Sequence, residues 1–148
     1  MTTIILGNAN NLSVSDDSSS GDTIILGNGI DDSVSANNSS YDAITLGNGA
    51  GDAVSAISSQ YDTITLGNGT NDTVNASTGS DNTMTLGNGA SDIVTAGGGL
   101  VSSYDTITLG NGAGDTVNDF GTSYDMITLG NGNGDMVNSG GPYALTGN

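Results

Sequence analysis

The chain has 148 residues, 25 of them glycine, and a formal charge of −16 with no Lys, Arg or His to offset it. Every charged side chain is an aspartate, and Cys, Trp and Glu are absent, so a Ser–His pair, a thiolate, a Schiff-base lysine and a cationic oxyanion clamp are all excluded. The phosphate contacts of nucleic-acid binding and direct attraction to anionic lipid are missing for the same reason, and no apolar run is long enough to span a bilayer. The expectation is a protein that is not an enzyme, with cations as its natural partners.

Leu-Gly-Asn recurs at Leu6, Leu26, Leu46, Leu66, Leu86, Leu109 and Leu129, at intervals of twenty residues apart from one of twenty-three. A fixed period of this kind signals a repeat architecture. Met1–Thr2–Thr3 runs straight into the first unit, so no export leader is legible. Coils are predicted to start at Thr3, Thr23, Ala43, Thr63, Thr83, Thr106 and Met126. Each opens with a strand whose apolar residues alternate, Ile64 and Leu66 inward against Thr63 and Thr65 outward. A Gly-Asn-Gly bend follows, then an aspartate, then a second strand with Val74 and Ala76 inward, then a Ser-rich turn. In the first coil Leu12 stands where later coils have Asp. The longer interval places three extra residues near Gly97 to Val101, at a polar bend free to bulge outward. Residues 139–148 read as a short tail, the only stretch that could cap an otherwise uncapped rod.

The fold predicted is all-β: one parallel β-solenoid domain over 1–148, of about seven coils and about 33 Å long at strand spacing. Frequent glycine, β-branched residues and the lack of a 3.6-residue stripe argue against helix. A disordered acidic chain has no reason to hold Leu, Val and Asp in fixed phase through seven units.

Stacking creates two aspartate columns. One holds Asp32, Asp52, Asp72, Asp92, Asp115 and Asp135, and the other Asp22, Asp42, Asp62, Asp105 and Asp125. Neighbours about 4.8 Å apart repel by about 0.9 kcal/mol in bulk water. A hard cation would relieve this, and calcium takes six to eight oxygens from carboxylates and backbone carbonyls. The first column adjoins a glycine-rich loop (Gly47, Gly49, Gly67, Gly69, Gly87, Gly89, Gly110, Gly112) that could supply such carbonyls, so it is the stronger candidate and folding is expected to depend on calcium. The alternative reading is that these aspartates cap turns through backbone amides. The segments G-N-G-A-G-D-A-V (Gly47 to Val54) and G-N-G-A-G-D-T-V (Gly110 to Val117) resemble the nonapeptide of RTX (haemolysin-type) repeat proteins, although the unit here is ten residues. That resemblance implies a parallel β-roll with calcium between turns and export from a Gram-negative bacterium by a type I route.

Other columns read as structural. Asn8, Asn28, Asn48, Asn68, Asn88, Asn111 and Asn131 suit an amide ladder. Tyr41, Tyr61, Tyr104 and Tyr124 suit a stacked, half-buried corner. The outward pairs Thr63/Thr65, Thr83/Thr85 and Thr106/Thr108 resemble the flat array of ice-binding solenoids, interrupted by Ile5, Ile25, Ala43 and Met126. Core-type residues Ile4 and Leu6 in front, and Ile127, Leu129 and Val137 behind, mark the ends as places for head-to-tail association with further copies. The expectation is a secreted structural protein of a bacterial surface or matrix, self-assembling and calcium-stabilised. A calcium-binding adhesin module and an ice-binding protein are the alternatives.

Overall fold

The computed structural model describes residues 1–98, 103–121, 124–140 and 143–147. Among them, short β-strands alternate between two parallel sheets and no helix is present. The first sheet stacks β1 (Thr3–Ile5), β3 (Thr23–Ile25), β5 (Ala43–Thr45), β7 (Thr63–Thr65), β9 (Thr83–Thr85), β11 (Thr106–Thr108), β13 (Asp125–Thr128) and β15 (Tyr143–Thr146). The second stacks β2 (Ser13–Ser15), β4 (Ser33–Ser35), β6 (Ala53–Ser55), β8 (Thr73–Asn75), β10 (Ile93–Gly97), β12 (Thr116–Phe120) and β14 (Met136–Ser139). Register follows the sequence repeat: Ile24, Ile44, Ile64 and Met84 pair in turn, as do Val34, Val54 and Val74.

Each strand alternates because its middle residue faces the partner sheet. Ile24, Leu26, Val34 and Ala36 are at most 2 % exposed, and the same positions are buried likewise through Ala96; Asp119 then takes the alanine's place, and Val137 of the last coil is only half-buried. Ile and Leu from one sheet thus meet Val and Ala from the other, bulky against small, which suits the narrow gap between two facing sheets.

The backbone enters the left-handed region in the turns between strands. The residue before Leu12 (Asn11) and before each first-column aspartate (Asp31, Gly51, Asn71, Ser91, Gly114, Gly134) has φ between 57° and 83°. Asn, Asp and Gly tolerate that conformation, which explains their frequency there. At the opposite corner Tyr41 and Tyr61 adopt φ of 64° and 60°, an uncommon state for a bulky side chain.

Two expectations change. The terminal segment is not a separate cap: Tyr143–Thr146 continues the first sheet, pairing Ile127 with Leu145 and Thr128 with Thr146. This strand covers the last full coil, so Ile127 is 0 % and Leu129 8 % exposed, and Leu145 and Met136 are exposed at that end. Val137 is half-buried and Ile4 likewise, while Leu6 is exposed. In the longer interval, β10 and β12 lengthen to five residues and Gly97 pairs with Phe120 inside the sheet. Residues 99–102, which carry the rest of the expected bulge, lie outside the described residues.

Candidate functional site

The chemistry-bearing side chains collect at the two corners where the sheets meet. Eleven of the sixteen aspartates are buried there or on β12, at no more than 1 % exposed. The charge implied by composition is therefore mostly internal.

In the first column each carboxylate reaches toward the preceding coil. Oδ1 of Asp32 accepts the N–H of Leu12 at 2.8 Å, that of Asp52 the N–H of Asp32 at 3.0 Å, and that of Asp72 the N–H of Asp52 at 3.0 Å. Asp92, Asp115 and Asp135 continue the pattern at 3.0 to 3.1 Å. The second column behaves alike: Asp42 and Asp62 accept the N–H groups of Asp22 and Asp42 at 2.9 Å, and Asp125 that of Asp105 at 2.8 Å. Asn82 takes one rung in place of an aspartate, accepting from Asp62 at 2.9 Å. Both columns thus cap backbone amides, but between coils rather than within one turn. Sequence reasoning passed over Asn82 as a rung of this ladder, although its place one period from Asp62 and Asp105 was visible.

The asparagine column runs with the opposite polarity. Asn28 Oδ1 accepts both the backbone N–H of Asn48 at 2.9 Å and its Nδ2 at 3.2 Å, and Asn48, Asn68, Asn88 and Asn111 serve the next coil in the same way. Between the asparagine and aspartate columns the glycines bring backbone against backbone: a Cβ on Gly49, Gly69, Gly89 or Gly112 would lie 1.4 to 1.6 Å from a carbonyl oxygen of the previous coil. The first coil has Ala9 at this position.

The second carboxylate oxygen is the anomaly. Oδ2 of Asp32, Asp42, Asp52, Asp62, Asp72, Asp92, Asp105, Asp115 and Asp135 is buried with no hydrogen-bond partner. Burial pushes Asp72 and Asp105 up to about 7 and Asp62, Asp92 and Asp125 up to about 6, and raises Asp52 and Asp115. Hydrogen bonds from backbone amides oppose that shift and like-charged neighbours add to it. Asp22 differs: the Ser19 hydroxyl donates to it and holds it down to about 2.

Does this arrangement fit calcium? The Gly47, Gly67 and Gly87 carbonyls accept the N–H groups of Gly67, Gly87 and Gly110 at 2.9 to 3.0 Å. Those of Gly49, Gly69, Gly89, Gly110 and Gly112 point along the stack at the next coil's glycine. Oδ1 is engaged on every rung, and no group of three or more carboxylates among the described residues could hold a metal. One free oxygen per rung falls short of a six- to eight-oxygen shell. The residues as placed do not fit the ion, and the columns are not assigned as metal ligands.

At the tyrosine corner Tyr41 stacks on Tyr61 (centroids 5.0 Å apart, 9° between planes) and Tyr104 on Tyr124 (5.6 Å, 14°), with all four exposed. Fold and corners together define a parallel β-solenoid stapled by buried polar ladders. Comparison with protein-family models, curated proteins and solved structures finds no match.

Proposed function

We propose that this chain is a non-catalytic structural rod, of the secreted kind that serves bacterial surfaces and matrices. The observation that carries the reading is where the polar groups go: Asp and Asn columns are spent on holding coil to coil, rung after rung. The resemblance to RTX repeats supports an extracellular setting. Hydrogen exchange tests the reading: slow exchange of the ladder amides of Asp32, Asp52 and Asp72 is expected, and exchange at the rate of an unfolded chain refutes it.

Association between copies belongs to the same reading. Among the described residues the outer edges of β1 and β15 have no neighbouring strand, and one copy's β1 set on another's β15 would extend the first sheet. The second sheet ends one strand earlier, at β14, leaving a notch of ≈ 380 Å³ lined by Leu129, Gly132, Asn133, Gly134, Asp135, Leu145 and Gly147. That step gives Ala9 and Leu12 of the incoming copy the room that a flush stack would deny them. Sedimentation of concentrated protein is expected to show elongated oligomers, and a monomer at every concentration removes this part.

A second reading has its own observation. Addition of β15 completes an unbroken outward rank of Thr45, Thr65, Thr85, Thr108, Thr128 and Thr146 on a face that carries no charge. Such a flat, regular hydroxyl array suits an ordered water surface. Thermal hysteresis would support it, and ordinary freezing behaviour would exclude it.

A further inference from the structure

Nine ladder aspartates bury an oxygen with no hydrogen-bond partner among the described residues, and an ionised carboxylate in that position is costly. Asn82 shows how the chain solves the same problem on one rung. It is 1 % exposed, its Oδ1 accepts the N–H of Asp62 at 2.9 Å, and its Nδ2 donates to the carbonyl of Ser59 at 3.4 Å. Asparagine has the shape of a neutral carboxylic acid, with Nδ2 standing where an aspartate carries Oδ2. The rung keeps its acceptor, loses its charge and gains a donor. The slot therefore accommodates a neutral group with a hydrogen on the inner atom.

We propose that Asp52, Asp62, Asp72, Asp92, Asp105 and Asp115 form proton-binding ladders, whose Oδ2 atoms carry hydrogen in the folded rod as Asn82 carries its amide hydrogens. Folding then takes protons from solvent, and the rod is held closed in acid and loosened in alkali. The surroundings push one way. Asp52 faces Asp31 and Asp32, Asp72 faces Asp52 and Asp92, and Asp115 faces Asp135. In the second column Asp62 faces Asp42, while Asp105 faces Asp81, Asp119 and Asp125. Asp125 also faces Asp119, and Asp16 faces Asp22 and Asp42. The chain has no Lys, Arg or His. The one cation nearby is the N-terminal ammonium, 3.4 Å from Asp22, and Asp22 lies outside the proposal because it stays ionised.

The raised values agree with the geometry. Groups titrating near 3.8 in the unfolded chain and near 6 to 7 in the rod stabilise it fully below 3.8 and cease to do so as pH rises through 6 to 7. Each proton retained only by the folded state changes the folding constant about tenfold per pH unit. Urea titrations of the 148-residue chain between about pH 4.5 and 8 should show a fall of at least about a hundredfold per unit between pH 5 and 7, the mark of two or more protons. Infrared spectra in D2O at about pH 5 should show a carboxylic-acid carbonyl band in the folded protein that vanishes on unfolding. Asp72→Asn, built on the example of Asn82, should be more stable than the parent at pH 8, with a pH slope shallower by up to about one proton. The proposal is overturned by stability that is flat or rises from pH 4.5 to 7, by absence of the acid band, or by Asp72→Asn being weaker at pH 8. Stoichiometric calcium binding at pH 8 that restores the acid-level stability would also overturn it, making the columns cation sites.

Discussion

Replacing Gly69 by alanine tests the close stacking of the coils most directly. The added Cβ would lie 1.6 Å from the Gly49 carbonyl oxygen, 2.6 Å from its carbon and 2.8 Å from Asp72 Oδ2. Two of these are backbone atoms, so relief requires the coils to separate locally by about 1.4 Å to reach the shortest approach that real Cβ atoms make, 3.0 Å. Four neighbouring bonds run across the same gap: Gly67 N–H to Gly47, both Asn68 bonds to Asn48 Oδ1, and Asp52 N–H to Asp72 Oδ1, all between 2.9 and 3.1 Å. Losing most of them costs about 2–5 kcal/mol. Restricting the unfolded chain returns about 0.4–1 kcal/mol, so a net loss of about 2–4 kcal/mol is expected. Gly7→Ala is the matched control, because nothing lies within 4 Å of its Cβ position, and it should be neutral or slightly stabilising. Urea denaturation followed by circular dichroism at one fixed pH measures both. The reasoning is refuted if Gly69→Ala stays within about 0.5 kcal/mol of the parent, the scatter of ordinary surface changes, or if Gly7→Ala costs as much. The first coil alone carries a methyl group at this position, Ala9, where Gly29, Gly49 and Gly69 follow.

Other perturbations separate the remaining forces. Ile64→Ala empties a fully buried position on β7 and should cost about 2–5 kcal/mol in the same titration. Asn68→Ala removes an acceptor used twice by Asn88 and should cost about 1–3 kcal/mol, whereas a fully solvated amide would cost nothing measurable. Tyr61→Gly relieves a φ of 60° at the expense of ring stacking, so it should be more stable than Tyr61→Ala by about 1 kcal/mol, and equal midpoints would contradict the strain. Asp22 titrates in the opposite sense to the ladders. Its contribution is present above 3.8 and lost as pH falls towards about 2, and Ser19→Ala should move that acid limb upward in a pH-dependent unfolding curve.

Much of the fold was legible because Leu, Val and Asp hold one phase, and parallel stacking turns phase directly into register. Ile24, Ile44 and Ile64 pair as the twenty-residue interval requires. The eighth strand was missed because Ala144–Leu145–Thr146 stands eighteen residues after its partners and drops the leucine before Gly147–Asn148, although it repeats Ala43–Ile44–Thr45 in type. The corners were harder. Spacing located the aspartates but not their direction. A left-handed residue before each first-column aspartate accompanies the turn of its carboxylate onto an amide of the neighbouring coil, and that backbone state is ambiguous in sequence when its occupant is Ser91 or, at the other corner, Tyr41. Glycine spacing alone does not reveal that neighbouring backbones leave no room for a methyl group at Gly49 and Gly69.

Because every rung joins only adjacent coils, the length of this rod is an independent variable of its sequence. Excising residues 43–62 would bring Asp42 directly before Thr63, with Asp72 Oδ1 one period from the Asp32 N–H, and Asn28 Oδ1 and Ile24 one period from Asn68 and Ile64. The junction would be chemically the same as the one it replaces, and the product shorter by one strand spacing of about 4.8 Å. Copying the same twenty residues would lengthen it by the same step. A gene encoding such a unit can change the reach of its product by recombination between its own repeats, without inventing a contact, and the protein is a ruler whose graduations can be added or removed singly.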